Sequence, residues 1–153
     1  MKNQHHFKLL LKWKLNQYQN NNRISRNHSI TINHKPILNV SAAKVFKGDA
    51  ELYNPEDLLL SSLASCHFMS FLYCCSQHKI EILAYTDQAE AILDVKANGS
   101  GKITQVFLNP TFTIGDESQK ELAINLHKKA NELCFIANSC NFPITHQAIC
   151  IIN

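Results

Sequence analysis

Cysteine is the residue type with the most chemical reach in this 153-residue chain, which has six. Cys66 lies in LASCHFMSF, with Cys74 and Cys75 close behind. Cys134 and Cys140 share ELCFIANSCNFP, and Cys150 sits in AICII. The spacings do not form a regular disulfide framework. No Cys-x-x-Cys or His-x-x-x-His pair is present, and Cys66 and His67 would point about 100° apart on a helix. No metal or other cofactor is therefore expected. A lone cysteine is most often a small buried hydrophobe. Cys74, Cys75 and Cys150 read that way, because adjacent cysteines bridge poorly and Cys150 alternates with Ala148 and Ile152. Taken alone, Cys66 has the same commoner reading.

A reactive Cys66 needs help from elsewhere. A thiol of ordinary pKa is only about 3% thiolate at neutral pH. Cys66 follows Asn54 by twelve residues, about 18 Å along a helix axis, beyond the reach of the helix dipole. A guanidinium about 4 Å away, at an effective dielectric near 20, supplies roughly 4 kcal/mol. The chain has two arginines, Arg23 and Arg26, both well before Cys66. A carboxylate to aim the arginine would complete the set. Glu56 is a candidate, ten residues before Cys66 and about 80° round the helix. Its plainer role is electrostatic, at the helix start.

These side chains need elements to hold them. Phe7, Leu9, Leu11, Trp13 and Leu15 fall on odd positions, the period of a strand with one buried face. Asn16–Asn22 reads as a loop. Arg23–Thr31 and Pro36–Val40 read as short strands with a turn at Asn33-His34-Lys35. Asn54-Pro55-Glu56-Asp57 is a helix start, and that helix should run to about His78. Ile80–Val95 and Lys102–Ile114 read as long strands around the Asn98–Gly101 turn. A second helix starts near Glu117 or Ser118, with an apolar face of Leu122, Leu126, Ala130, Leu133 and Ala137. Pro143–Ile152 reads as a last strand. This order predicts one α+β domain over residues 1–153, with two main helices.

Composition narrows the function classes. A net charge of +3 and 18% charged residues are too mild and scattered for a nucleic-acid binder. The N-terminal stretch interrupts its apolar residues with Lys8, Lys12 and Lys14, unlike a signal peptide. A cytoplasmic location with reduced thiols is expected. Leu58–Gln77 has no Asp, Glu, Lys or Arg and is long enough to span a bilayer. It also carries five serines and His67, so a core or subunit-interface helix is the better reading. A helix this apolar needs partners on several sides, which predicts a dimer.

FKGDAELYNPEDLLLSSLASCHFMSFL and LHKKANELCFIANSCNFPI resemble the two signature regions of the OsmC/Ohr family of thiol-dependent peroxidases. The resemblance runs from about Arg23 onward. It implies an OsmC-like fold with antiparallel sheets and two main helices, in an intertwined homodimer with active sites at the subunit interface. It implies that Cys66 is the peroxidatic cysteine and Cys134 the resolving one. Glu56 then orients the activating arginine, best matched by Arg26 with Arg23 as fallback. The implied reaction reduces an organic hydroperoxide or hydrogen peroxide and is recycled by an external dithiol. Phe135-Ile136-Ala137 follows Cys134 where organic-hydroperoxide members have a proline, and their Gly-rich arginine loop is absent. The chain is thus closer to the OsmC-like side branch. Cys140 is an added thiol that reads as a buried small residue or as a competing resolver. Two other readings stand beside the enzyme. One is an apolar-ligand-binding or redox-sensing protein, and the other is a structural domain with an inert Cys66. Phe46, Phe68, Phe71, Phe112 and Phe135 suit a ligand pocket, but more simply a plain core.

Overall fold

The computed structural model describes residues 3–15, 18–19 and 23–153. The chain divides into two compact units, Met1–Leu58 and Leu59–Asn153. In the first, β1 (Leu10–Lys12) is an edge strand of an antiparallel sheet. The strand expected over residues 7–15 shrinks to these three. Phe7, Leu9, Leu11, Trp13 and Leu15 are all exposed, and so is Leu10. The alternation marks a face that nothing within the unit covers.

Tyr18–Gln19 (β2), in the expected loop, pairs in a short ribbon with Arg23–Ile24 (β3), where the strand expected over Arg23–Thr31 begins. Residues 16, 17 and 20–22 of that loop, and the Arg23 side chain, lie outside the described residues. His28–Thr31 (β4) and Leu38–Val40 (β5) form the expected hairpin. Its turn is closed by Lys35 N–H donating to the Ile32 carbonyl at 3.1 Å, with His34 left-handed at φ 60°.

Helix α1 (Pro55–Gln77) starts where its signal lies. Asp57 N–H donates to Asn54 Oδ1 at 2.9 Å, and Asn54 Nδ2 donates back to Asp57 Oδ2 at 2.6 Å. Asn54→Ala should cost about 1 kcal/mol, read as a lower urea midpoint with unchanged slope. The helix stops through Lys79, left-handed at φ 56°, and Ile80 N–H, which donates to the Cys75 carbonyl at 3.0 Å. It is long and apolar enough to cross a membrane, with mean hydropathy 1.6. One stripe of it is core: Leu63, His67, Phe71, Cys74 and Cys75 are buried.

In the second unit, the two expected long strands and the expected last strand are each split in two. Ala84–Asp87 (β6) and Glu90–Val95 (β7) replace one, and Gly101–Leu108 (β8) and Pro110–Ile114 (β9) another. Ile144–His146 (β10) and Ile149–Ile152 (β11) replace the last. The halves sort into two sheets, β10-β8-β7 and β11-β9-β6. The break points are bonded to one another. Asp87 Oδ1 accepts from Asn109 N–H at 2.8 Å, Asn109 Nδ2 donates to the Gln88 carbonyl at 2.9 Å, and Gln147 N–H donates to the Leu108 carbonyl at 3.0 Å. Pro110 has no N–H to continue a ladder, so the chain turns there. The β6–β9 and β7–β8 pairs are antiparallel, whereas β11–β9 and β10–β8 are parallel.

Helix α2 (Lys120–Leu133) follows a short 3₁₀ turn at Glu117–Gln119. Its buried residues are Ala123, Leu126, His127 and Ala130. Leu122 and Leu133, expected on this face, are exposed, and Ala137 falls in a later 3₁₀ turn. The true stripe is rotated, because two alanines let the helix approach closely and a histidine takes the centre. Phe71, Phe112, Ile114, Leu126 and Cys150 share one apolar cluster. Leu63, Val106 and Leu108 form the other, with Cys140 packed against it. The result is the expected α+β architecture with two main helices. The parallel pairings of β10 and β11 qualify the expectation of purely antiparallel sheets.

Candidate active site at a thiol pair

Two helices deliver the two principal cysteines. Cys66 lies midway along α1, on the flank of its buried stripe, and is partly exposed. Cys134 caps α2 with extended backbone, at φ −72° and ψ 110°, and is fully buried. The structure brings these thiols together. Burial, then the neighbouring Cys66 thiol, pushes the Cys134 thiol up to about 11. The Ala137 N–H donates to Cys134 Sγ at 3.3 Å and works the other way. Cys134 is therefore a protonated thiol at neutral pH. Burial is the main reason.

Cys66 opens onto a shallow apolar groove of about 390 Å³, lined also by Met69, Ser70, Tyr73, Leu133 and Phe135. Met69, Tyr73 and Cys66 form a second apolar stripe on α1, one turn apart. Phe135 is 82% exposed and Phe71 and Phe112 are core, so the five phenylalanines do not share a pocket. Cys74, Cys75 and Cys150 are buried, as read from the sequence. Burial pushes Cys75 up to about 12 and raises Cys140 as well.

Arg26 and Glu56 belong to the first unit. The Arg26 loop is tied down on both sides. Trp13 Nε1 donates to the Ser25 carbonyl at 2.9 Å, and His28 Nδ1 donates to the Arg26 carbonyl at 2.8 Å. Ser41 Oγ donates to Asn27 Oδ1 at 2.8 Å and accepts from Asp49 N–H at 3.0 Å. The Arg26 guanidinium itself is exposed and donates to the Phe46 carbonyl. Glu56 stands in the first turn of α1, and its Oε2 is buried with no hydrogen-bond partner among the described residues. Arg26 and Glu56 do not form an ion pair; among the described residues Lys129–Glu132 is the only one. Thus Cys66 and Cys134 are neighbours, whereas Arg26 and Glu56 are not paired with each other.

A family model described as OsmC-like protein matches residues 48–148, well over half of the sequence. The chain belongs to the OsmC-like family. No curated protein matches it. Among solved structures, it is similar to an OsmC-like protein of unknown function from Vibrio cholerae. That likeness has 25% identity and a TM-score of 0.82, covering 95% of this chain and 100% of the other. An organic hydroperoxide resistance protein from Elizabethkingia anophelis matches at 20% identity and TM-score 0.72, with both chains fully covered. The organic hydroperoxide resistance protein OhrB of Bacillus subtilis matches at 17% identity and TM-score 0.65, covering 96% of this chain and 98% of that one. These likenesses establish that the chain has the OsmC-like fold.

Sequence reading missed one feature of this OsmC-like chain. His67 and His127 are both fully buried, and His67 Nε2 lies 2.9 Å from His127 Nδ1. Burial, then His146, lowers His67 to about 4. Burial, then His67 and His146, lowers His127 to about 3. Both rings are neutral at pH 7. The available signals were faint: His67 in an uncharged stretch, and His127 spaced four from Ala123 and three from Ala130. Among the described residues no group of three or more histidine, cysteine or carboxylate side chains could hold a metal ion.

Proposed function

We propose that this OsmC-like protein is a thiol-dependent peroxidase that reduces hydroperoxides through a Cys66–Cys134 cycle in oxidative-stress defence. The observation that carries the reading is the pairing of a partly exposed Cys66 with a buried, protonated Cys134. The Cys66 thiolate attacks the distal oxygen of a hydroperoxide and the O–O bond breaks. Cys66 becomes a sulfenic acid, and the departing alkoxide or hydroxide takes a proton to leave as alcohol or water. Cys134 then attacks the sulfenic sulfur, forming the disulfide and releasing water. An external dithiol reduces that disulfide and is itself oxidised. Arg26 is assigned to stabilise the thiolate and the developing charge, and Glu56 to aim it. That assignment rests on the family resemblance. The exposed apolar residues of β1, and the Met69 and Tyr73 stripe of α1, favour a homodimer in which a second copy covers them. Neither a nucleic acid nor a membrane is assigned as partner, and the reduced thiols suit the cytoplasm.

Treating reduced protein with one equivalent of cumene hydroperoxide or hydrogen peroxide should give a Cys66–Cys134 disulfide by peptide mapping. Cys66→Ser should abolish it, and the faster oxidant names the substrate class. Oxidation of Cys66 no faster than a free thiol would overturn the enzyme reading. The apolar groove beside Cys66 supports a second reading, an apolar-ligand-binding redox sensor. Tight binding of a fatty acid with negligible turnover would favour it.

A further inference from the structure

We propose that His67 and His127 act as a neutral, hydrogen-bonded positioning pair that sets the register of α1 against α2, and so holds Cys66 against Cys134. His67 directly follows Cys66 on a rigid helix, and His127 precedes Cys134 by two turns. Their contact of 2.9 Å joins the two helices side chain to side chain. Aromatic rings pack against it. Phe71 stacks on His127 with centroids 3.9 Å apart and planes 13° apart, Phe112 lies 5.3 Å from His127, and His146 stacks on His67 at 5.6 Å.

Alanine and phenylalanine faces tolerate a slip of one helix past another, whereas a directional bond does not. A slip of one residue rotates a side chain by about 100° and would break this bond. The pair is also costly. His67 Nδ1 and His127 Nε2 are buried without partners among the described residues. A buried polar contact that adds little net stability, yet admits only one arrangement, is a device for specificity. Protonation supports the assignment. With both rings neutral, one nitrogen donates and the facing one accepts, so the bond is satisfied without a buried charge.

The inference rests on the proposed function only in taking Cys66–Cys134 as the bridge that forms. Its test therefore uses no hydroperoxide. The equilibrium of that bridge in full-length protein is measured in dithiothreitol redox buffers at pH 7 by thiol trapping and mass spectrometry. His67→Met/His127→Leu removes the bond and leaves no orphaned partner, so the chain should still fold. Its bridge equilibrium constant should fall about tenfold, roughly 30 mV for this two-electron couple. His67→Gln/His127→Asn places amide groups where the ring nitrogens stood and should restore the constant to within about threefold. In ¹⁵N-histidine-labelled wild type, a scalar coupling should cross the His67–His127 bond. An apolar pair that matches wild type, a folded amide pair that fails to rescue, or no coupling in wild type would each overturn the proposal. A normal bridge constant with no peroxidase turnover would sink the proposed function and leave this inference standing.

Discussion

Arg26→Met should slow the oxidation of Cys66 by hydroperoxide about 100-fold, the scale expected when one preorganised cationic donor to a developing oxyanion is removed. Stopped-flow oxidation followed by sulfenic-acid trapping reads this directly. Arg26→Lys should recover only part of the rate, because a lysine is a hydrated point charge without the planar fork. The loop is pinned by Trp13, Asn27 and His28, so Arg26 replacement should leave its backbone in place. Oxidation at the wild-type rate would remove Arg26 from the assignment, and Arg23→Met would then be the variant to measure.

Acid should destabilise this protein far more than its surface charges suggest. In the unfolded chain a histidine takes up its proton near pH 6.5. In the native protein His67 waits until about pH 4 and His127 until about pH 3. Their native contribution is therefore complete above pH 6.5 and is lost as pH falls through the window down to 4. Each histidine removes about 1.4 kcal/mol per pH unit within it. The pair should cost about 6 kcal/mol between pH 7 and pH 4, a large share of a domain's usual stability. Burial also lowers His146, which adds to the same trend. Urea titrations across this range should show a steep fall in wild type and a shallow one in His67→Gln/His127→Asn. Parallel profiles for the two proteins would contradict the assignment.

What the sequence revealed follows the range of each signal. Local chemistry was legible. Asn54, Pro55 and the two acids after them placed the start of α1, and Asn33–Lys35 placed a hairpin turn. The proximity of Cys66 and Cys134 could be expected only through family resemblance, since nothing local links residues so far apart. The splitting of these three expected strands was not. An unbroken run of apolar alternation has no term for the sheet it joins, and Pro110 was its one local sign. The histidine pair was hidden for a related reason. His127 in LHKK reads as part of a polar face until the stripe of Ala123 and Ala130 shows which side is covered. The alternation at Phe7–Leu15 was read as a buried face. Within its own unit it is bare, because the period of a pattern says what a face wants and not who supplies it.

The corner at Gln88, Asn109 and Gln147 has a consequence for kinetics. Strands β6 and β7, neighbours along the backbone, go to different sheets, and each sheet is completed by β10 or β11 through a parallel pair. No hairpin can nucleate either one to completion. The entropy of closing long loops must be met before the outer ladders form, which is the signature of slow, high-contact-order folding. Until then β8 and β9, the central strands, each present an open edge to other nascent molecules. The time between synthesis and closure is the interval in which this protein has most need of a chaperone.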